Sequence, residues 1–101
     1  FSEEVFGPVL TLASYRKFED ALALVNRSRY GIHASIFTQD EALIDDAFAS
    51  LDVGGVIVND APTIRFDAMP YGGNKQSGFG REGVEFAYEE MTLPRTIVKM
   101  R

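Results

Sequence analysis

Short apolar runs at residues 9–15, 34–37 and 56–58 alternate with two stretches whose apolar side chains recur at helical spacing. In residues 18–26 the recurring positions are Phe18, Ala21, Leu22 and Val25, with Glu19, Asp20 and Asn26 elsewhere on the wheel. In the second stretch they are Leu43, Ile44, Ala47, Phe48 and Leu51, while Asp45, Asp46 and Ser50 face away. A β-α-β-α-β order restricts the chain to an α/β fold, because parallel strands need a crossover and a helix supplies it. Val9-Leu10-Thr11-Leu12-Ala13 is apolar enough for burial on both faces, as in a parallel sheet. Gly7 precedes Pro8 and is biased towards extended backbone, which suits strand entry. Thr38-Gln39-Asp40-Glu41 has the form of a capping box at the start of the second helix.

Residues 59–81 read as a long irregular loop, and loops of that length in small domains are usually functional or disordered. Beyond it Val84, Ala87, Tyr88 and Met91 give one more helical face, with the helix expected to begin near Gly80. Thr96-Ile97-Val98-Lys99-Met100, after Leu93-Pro94, reads as a terminal strand whose open edge invites pairing with another chain. The expected division is residues 1–94 as one body and 95–101 as a strand reaching outward.

Composition narrows the function classes. The net charge of −5 and ten scattered basic residues offer no phosphate-binding face, so nucleic acid is not an expected partner. No apolar run is long enough to span a bilayer, and no secretory signal is visible. The chain has no cysteine, which removes disulfides and thiolate metal sites and fits a reducing, cytoplasmic setting.

Glu4 and Phe6 stand two residues apart on a stretch expected to be extended, so their side chains share a face. A carboxylate has two acceptor oxygens for a vicinal diol, and an aromatic ring offers a flat surface to a heterocycle. Gly78-Phe79-Gly80-Arg81-Glu82-Gly83 spells G-x-G-x-x-G, but polar Asn74-Lys75-Gln76-Ser77 precedes it where a dinucleotide fingerprint needs a strand. These glycines read instead as a tight structural loop. His33 is the single histidine and has no co-ligand in sequence, so it is assigned no metal chemistry. Lys75 reads as a loop residue suited to bonding backbone carbonyls.

Four segments, in order, carry a family resemblance. Glu4-Val5-Phe6-Gly7-Pro8 resembles the E-x-F-G-P motif of the aldehyde dehydrogenase superfamily. Tyr30-Gly31-Ile32 with Ala34-Ser35-Ile36-Phe37-Thr38, then Gly54-Gly55-Val56-Ile57-Val58-Asn59, are similar to two further family segments. Pro70-Tyr71-Gly72-Gly73-Asn74-Lys75-Gln76-Ser77-Gly78, continued by Gly80-Arg81-Glu82, resembles the family's P-[FY]-G-G-x-K-x-S-G loop.

The resemblance implies a catalytic-domain segment of an enzyme that oxidises an aldehyde to a carboxylic acid with NAD or NADP. It implies that Glu4 holds the nicotinamide ribose, that Phe6 packs beside the nicotinamide, and that Val5 points into the protein. It places Arg65, Phe66 and Tyr71 in the loop lining the substrate tunnel, where a guanidinium suits a carboxylate or phosphate on the aldehyde. It makes the terminal strand part of an oligomerisation sheet, hence a homo-oligomer, dimer or tetramer. The family's cysteine nucleophile, general-base glutamate and cofactor domain lie upstream of the E-x-F-G-P motif. The chain is therefore expected to be the C-terminal part of a longer enzyme and inactive alone. The competing expectation is a non-catalytic interaction module with the same fold, using its open sheet edge to bind partners.

Overall fold

The computed structural model describes residues 3–101. Helix α1, Phe18–Asn26, is followed by a two-residue strand β1, Tyr30–Gly31, and by β2, His33–Ile36. Helix α2, Glu41–Ser50, crosses over to β3, Gly55–Val58. A second short strand, β4, Asn74–Lys75, precedes helix α3, Val84–Met91.

β2 and β3 form a parallel pair in the register His33↔Gly55, Ala34↔Val56, Ser35↔Ile57 and Ile36↔Val58. The unit β2–α2–β3 is thus the crossover that the alternating pattern implies. Asn59 extends the pair by one rung. Its backbone N–H donates to Ile36 O at 2.8 Å, and its side chain both accepts from Thr38 N–H and donates to Thr38 O, each at 2.9 Å. The backbone there is left-handed, φ 57°, a conformation asparagine tolerates better than most residues.

α2 starts two residues later than a Thr38 cap would set. Thr38 Oγ1 accepts from Asp40 N–H at 3.1 Å, and Asp40 Oδ1 accepts from Ala42 N–H at 2.9 Å. Asp40 is therefore the cap, and a relay of two short side chains replaces the reciprocal box. α2 packs on β3 and against α1, and the small core lies at this junction, with Leu22 and Ala47 buried. Asn26 fastens the two helix ends. Its Nδ2 donates to Ser50 O at 2.6 Å and its Oδ1 accepts from Asp52 N–H at 2.8 Å.

The Gly-rich loop is strapped beneath these helices. β4 pairs antiparallel with β1, Tyr30↔Lys75 and Gly31↔Asn74. Lys75 Nζ donates to the carbonyls of Asn26 at 3.1 Å and Ser28 at 3.0 Å, placing a cation at the C-terminal end of α1 where the helix dipole favours one. Ser77 Oγ accepts from Gly31 N–H at 2.8 Å. Backbone approach is close enough that a Cβ at Gly54 would collide with the Gly72 carbonyl oxygen. The glycines serve geometry, as Gly80 with φ 67° illustrates, and α3 begins at Val84 rather than near Gly80.

Both terminal strands expected from the sequence are absent from the structure. Residues 9–15 are not a strand, and among the described residues their one backbone hydrogen bond is a local turn from Val9 N–H to Gly7 O at 2.7 Å. Leu10 is 84% and Leu12 90% exposed. A run that is apolar on both faces demands cover on both faces, and the two-stranded sheet with its helices does not supply it. Residues 92–101 likewise carry no regular element, with Ile97, Val98 and Met100 exposed.

The surface measures this shortfall. It totals 9014 Å², against about 5,700 Å² for a compact protein of this mass. The radius of gyration is 18.2 Å, where a compact domain of this length has about 13 Å. Apolar surface this extensive fits a chain whose faces are completed by further protein.

Candidate functional site

The residue types singled out by sequence fall into two places. Glu4 is exposed on the wall of an open cavity of about 1180 Å³, which it shares with Tyr30, His33, Gln76 and Ser77. Phe6, two residues on, is 99% exposed, so neither face of its ring is packed. Val5 is 64% exposed instead of pointing inward. The structure therefore places Glu4 at a cavity and leaves Phe6 outside it.

The second place is built by the loop. Tyr71 and Glu82 form an isolated antiparallel bridge, with Tyr71 N–H donating to Glu82 O at 3.0 Å. Arg65 lies over the Tyr71 ring, its guanidinium carbon 4.3 Å from the centroid. Its Nη2 donates to Glu82 Oε2 at 3.3 Å. On the other side, His33 meets Tyr71 edge to face, with centroids 5.2 Å apart and planes at 85°. His33 Nδ1 lies 2.9 Å from Pro62 O. A carbonyl only accepts, so Nδ1 carries the proton in that contact, which leaves Nε2 for other partners. That Nε2 is buried and has no hydrogen-bond partner among the described residues.

Arg65 and Tyr71, two of the three loop residues singled out from the sequence, are in contact, whereas Phe66 is 64% exposed. Glu82 and His33 belong to the cluster and were not anticipated as part of it. Glu82 lies 17 residues from Arg65, with no periodic relation to betray the pair. Arg81, next to Glu82, is turned towards the loop interior. Its Nη1 donates to Gly80 O at 2.8 Å and its Nη2 to Asn74 Oδ1 at 2.7 Å. No metal-binding group of three or more His, Cys, Asp or Glu residues exists among the described residues. No helix among them is long and apolar enough to cross a membrane.

An arginine set over an aromatic ring thus stands beside a glycine-rich loop and a β-α-β unit, on an α/β scaffold. The model of the aldehyde dehydrogenase family matches residues 1–97, and the chain belongs to that family. It is 48% identical over 96 residues to the 3-sulfolactaldehyde dehydrogenase of Priestia megaterium (strain ATCC 12872 / QMB1551), covering 95% of this chain and 20% of that protein. Among solved structures it resembles aldehyde dehydrogenase 21 from Physcomitrella patens in complex with the reaction product succinate. The TM-score is 0.84 and the identity 47%, over 89% of this chain and 19% of that one. It also resembles the glyceraldehyde-3-phosphate dehydrogenase GapN of Methanocaldococcus jannaschii complexed with NADP. There the TM-score is 0.69 and the identity 45%, over 72% of this chain and 16% of that one. The chain spans about a fifth of the length of the curated relatives it matches.

Proposed function

We propose that the chain serves as the C-terminal portion of the catalytic domain of an NAD(P)-dependent aldehyde dehydrogenase acting on a short anionic aldehyde. In this reading residues 1–94 belong to the catalytic body, and residues 95–101 form a strand completed by a neighbouring subunit of a cytoplasmic homo-oligomer. The one observation that carries the substrate class is the Arg65 guanidinium, its carbon 4.3 Å from the Tyr71 ring centroid and its side chain still 49% exposed. Held on a ring, it offers N–H donors in the fork geometry that matches a carboxylate, sulfonate or phosphate. Three relatives support the reading, one named for a sulfonated aldehyde, one solved with a dicarboxylate product and one named for a phosphorylated aldehyde, while others are named for lactaldehyde and betaine aldehyde.

The residues at the other place fit a nicotinamide dinucleotide in chemical type. Glu4 supplies acceptors for ribose hydroxyls at a cavity wall, and Phe6 supplies an unpacked ring. The cofactor would act as the two-electron acceptor for the aldehyde, with water supplying the second oxygen of the acid. The chain's own part is to orient. Glu4 and Phe6 fix the cofactor, Arg65 fixes the far end of the substrate, and Phe66 and Tyr71 line the approach and exclude water. A cysteine nucleophile would have to come from outside these 101 residues, because they contain no cysteine.

The test is Arg65→Ala in a full-length enzyme carrying this segment, assayed with sulfoacetaldehyde and with propanal. The expected outcome is a loss of kcat/KM for the anionic aldehyde of at least about tenfold beyond any loss for the neutral one, the usual worth of a charge-assisted contact. Equal losses on both would overturn the substrate class. The exposed apolar segments also support a second reading, a non-catalytic interaction module. A full gene product lacking a cysteine and a cofactor domain upstream would favour it.

A further inference from the structure

Resting on the substrate class just argued, we propose that His33 is a positioning residue for Arg65. It pins both ends of the loop arc that carries the arginine, and so sets how strongly an anionic aldehyde is preferred over a neutral one. The inference comes from what each side of the imidazole meets. His33 opens β2, and its partner across the parallel pair is Gly55. The ring fills the space that a side chain at Gly55 would need. A Cβ there would lie 2.8 Å from His33 Cδ2 and 3.0 Å from Nε2, well inside the roughly 3.5–4.0 Å of ordinary contact. The imidazole is therefore seated on the β2–β3 pair. Its two other contacts lead into the loop. Nδ1–H donates to Pro62 O at 2.9 Å, and the ring meets Tyr71 edge to face at 5.2 Å. Arg65 lies in the arc between those two residues, with its guanidinium carbon 4.3 Å from the Tyr71 ring centroid.

A packing role alone does not account for this residue. Nε2 is buried without a hydrogen-bond partner among the described residues, and further protein around the chain can only deepen that burial. A buried polar atom left unpaired is costly, and a phenyl ring would fill the same space without the cost. What a phenyl ring lacks is the Nδ1 donor, and that donor holds the Pro62 carbonyl. The backbone of Tyr71 is fastened separately, by its bridge to Glu82. Loss of the imidazole therefore leaves the far end of the arc attached while freeing the Tyr71 ring and the Pro62 end. Arg65 then samples more positions over the ring, and a substrate oxoanion has to restrict them on binding. A neutral aldehyde makes no use of the guanidinium and is spared that cost.

The experiment uses a full-length enzyme carrying this segment, with His33→Ala, His33→Asn, Gly55→Ala and Arg65→Ala, assayed with sulfoacetaldehyde and with propanal. The preference is the ratio of the two kcat/KM values, so any loss common to both substrates drops out. His33→Ala is expected to cut the preference by about two- to tenfold, the worth of one hydrogen bond, through a higher KM for sulfoacetaldehyde. His33→Asn places an amide nitrogen where Nδ1 stood and is expected to recover roughly half of that loss or more on a logarithmic scale. Gly55→Ala pushes on the same ring without removing it and should also lower the preference. In the His33→Ala background it should lower it no further, because the space is empty. If Arg65→Ala abolishes the preference but His33→Ala depresses both substrates equally, His33 only supports the fold; the inference is then wrong and the substrate class stands. Should His33→Ala fail to fold, an unchanged preference in Gly55→Ala overturns the inference in the same way. If Arg65→Ala leaves the preference intact, the substrate class is wrong and the role of His33 falls with it.

Discussion

The ammonium of Lys75 lies 3.1 Å from the carbonyl oxygen of Asn26, the last residue of α1, although 49 residues separate the two in sequence. A second bond to Ser28 O at 3.0 Å makes the lysine a bridge between the glycine-rich loop and the helix end. The carbonyls at a helix C-terminus lack intrahelical partners, and a cation supplies both the donor and the favourable charge.

Lys75→Met should retain the aliphatic stem and lose both bonds. We expect a loss of about 1–3 kcal/mol, the worth of hydrogen bonds to a charged group. A fall in the thermal midpoint of the full-length enzyme, with faster amide exchange at Arg27 and Ser28, is the measurement. An unchanged midpoint would show that water replaces the lysine at no cost.

Asn59 combines a left-handed backbone with two side-chain bonds to Thr38, so two substitutions separate the contributions. Asn59→Gly keeps the conformation and loses the bonds. Asn59→Ala loses both and should be less stable than the glycine variant by about 1 kcal/mol. Equal midpoints for the two variants would mean that the backbone conformation carries no strain here.

The glycines of the loop should differ sharply from one another. At Gly54 a methyl group would strike the Gly72 carbonyl, which is backbone and cannot swing aside. Gly54→Ala should therefore detach the loop from β3 and collapse the yield of folded protein. A Cβ at Gly78 meets open space, and only its φ of 151° resists substitution. Gly78→Ala should cost about 1 kcal/mol and still fold. Comparing soluble yield and thermal midpoint of the pair checks the distinction.

Made alone, the 101-residue chain should not behave as a compact monomer. Phe6, Leu10, Leu12, Leu93 and Met100 are all more than 80% exposed, and such surface binds hydrophobic dyes and self-associates. Sedimentation at micromolar concentration should give species heavier than a monomer, and titration with NAD should show no saturable binding below the millimolar range. A monomer with a radius of gyration near 13 Å would contradict this expectation.

Much of this architecture was legible in the sequence because it is local. Helical spacing located α1 to the residue and the body of α2, and the Gly54-Gly55 break before Val56-Ile57-Val58 located β3 to within one. The reading of Lys75 as a binder of carbonyls was also sound. Residues 9–15 misled because periodicity reports what side chains need covered, not whether a partner edge is present. Arg65 and Tyr71 were legible as residues of one loop, but not their contact. Glu82 was not, since a backbone bridge across eleven residues of irregular loop leaves no repeating signal. Phe6 reads as a binding ring by type, but its ligand face depends on a docking the sequence does not encode locally.

The double grip of Asn26 has a further consequence. Its side chain ties α1 to Ser50 and Asp52, while its carbonyl receives Lys75. Three stretches of chain meet at one asparagine, so none can open without loosening the others. This corner should melt as a single cooperative unit, and the wall bearing Arg65 is anchored to it through the loop that Lys75 ties down.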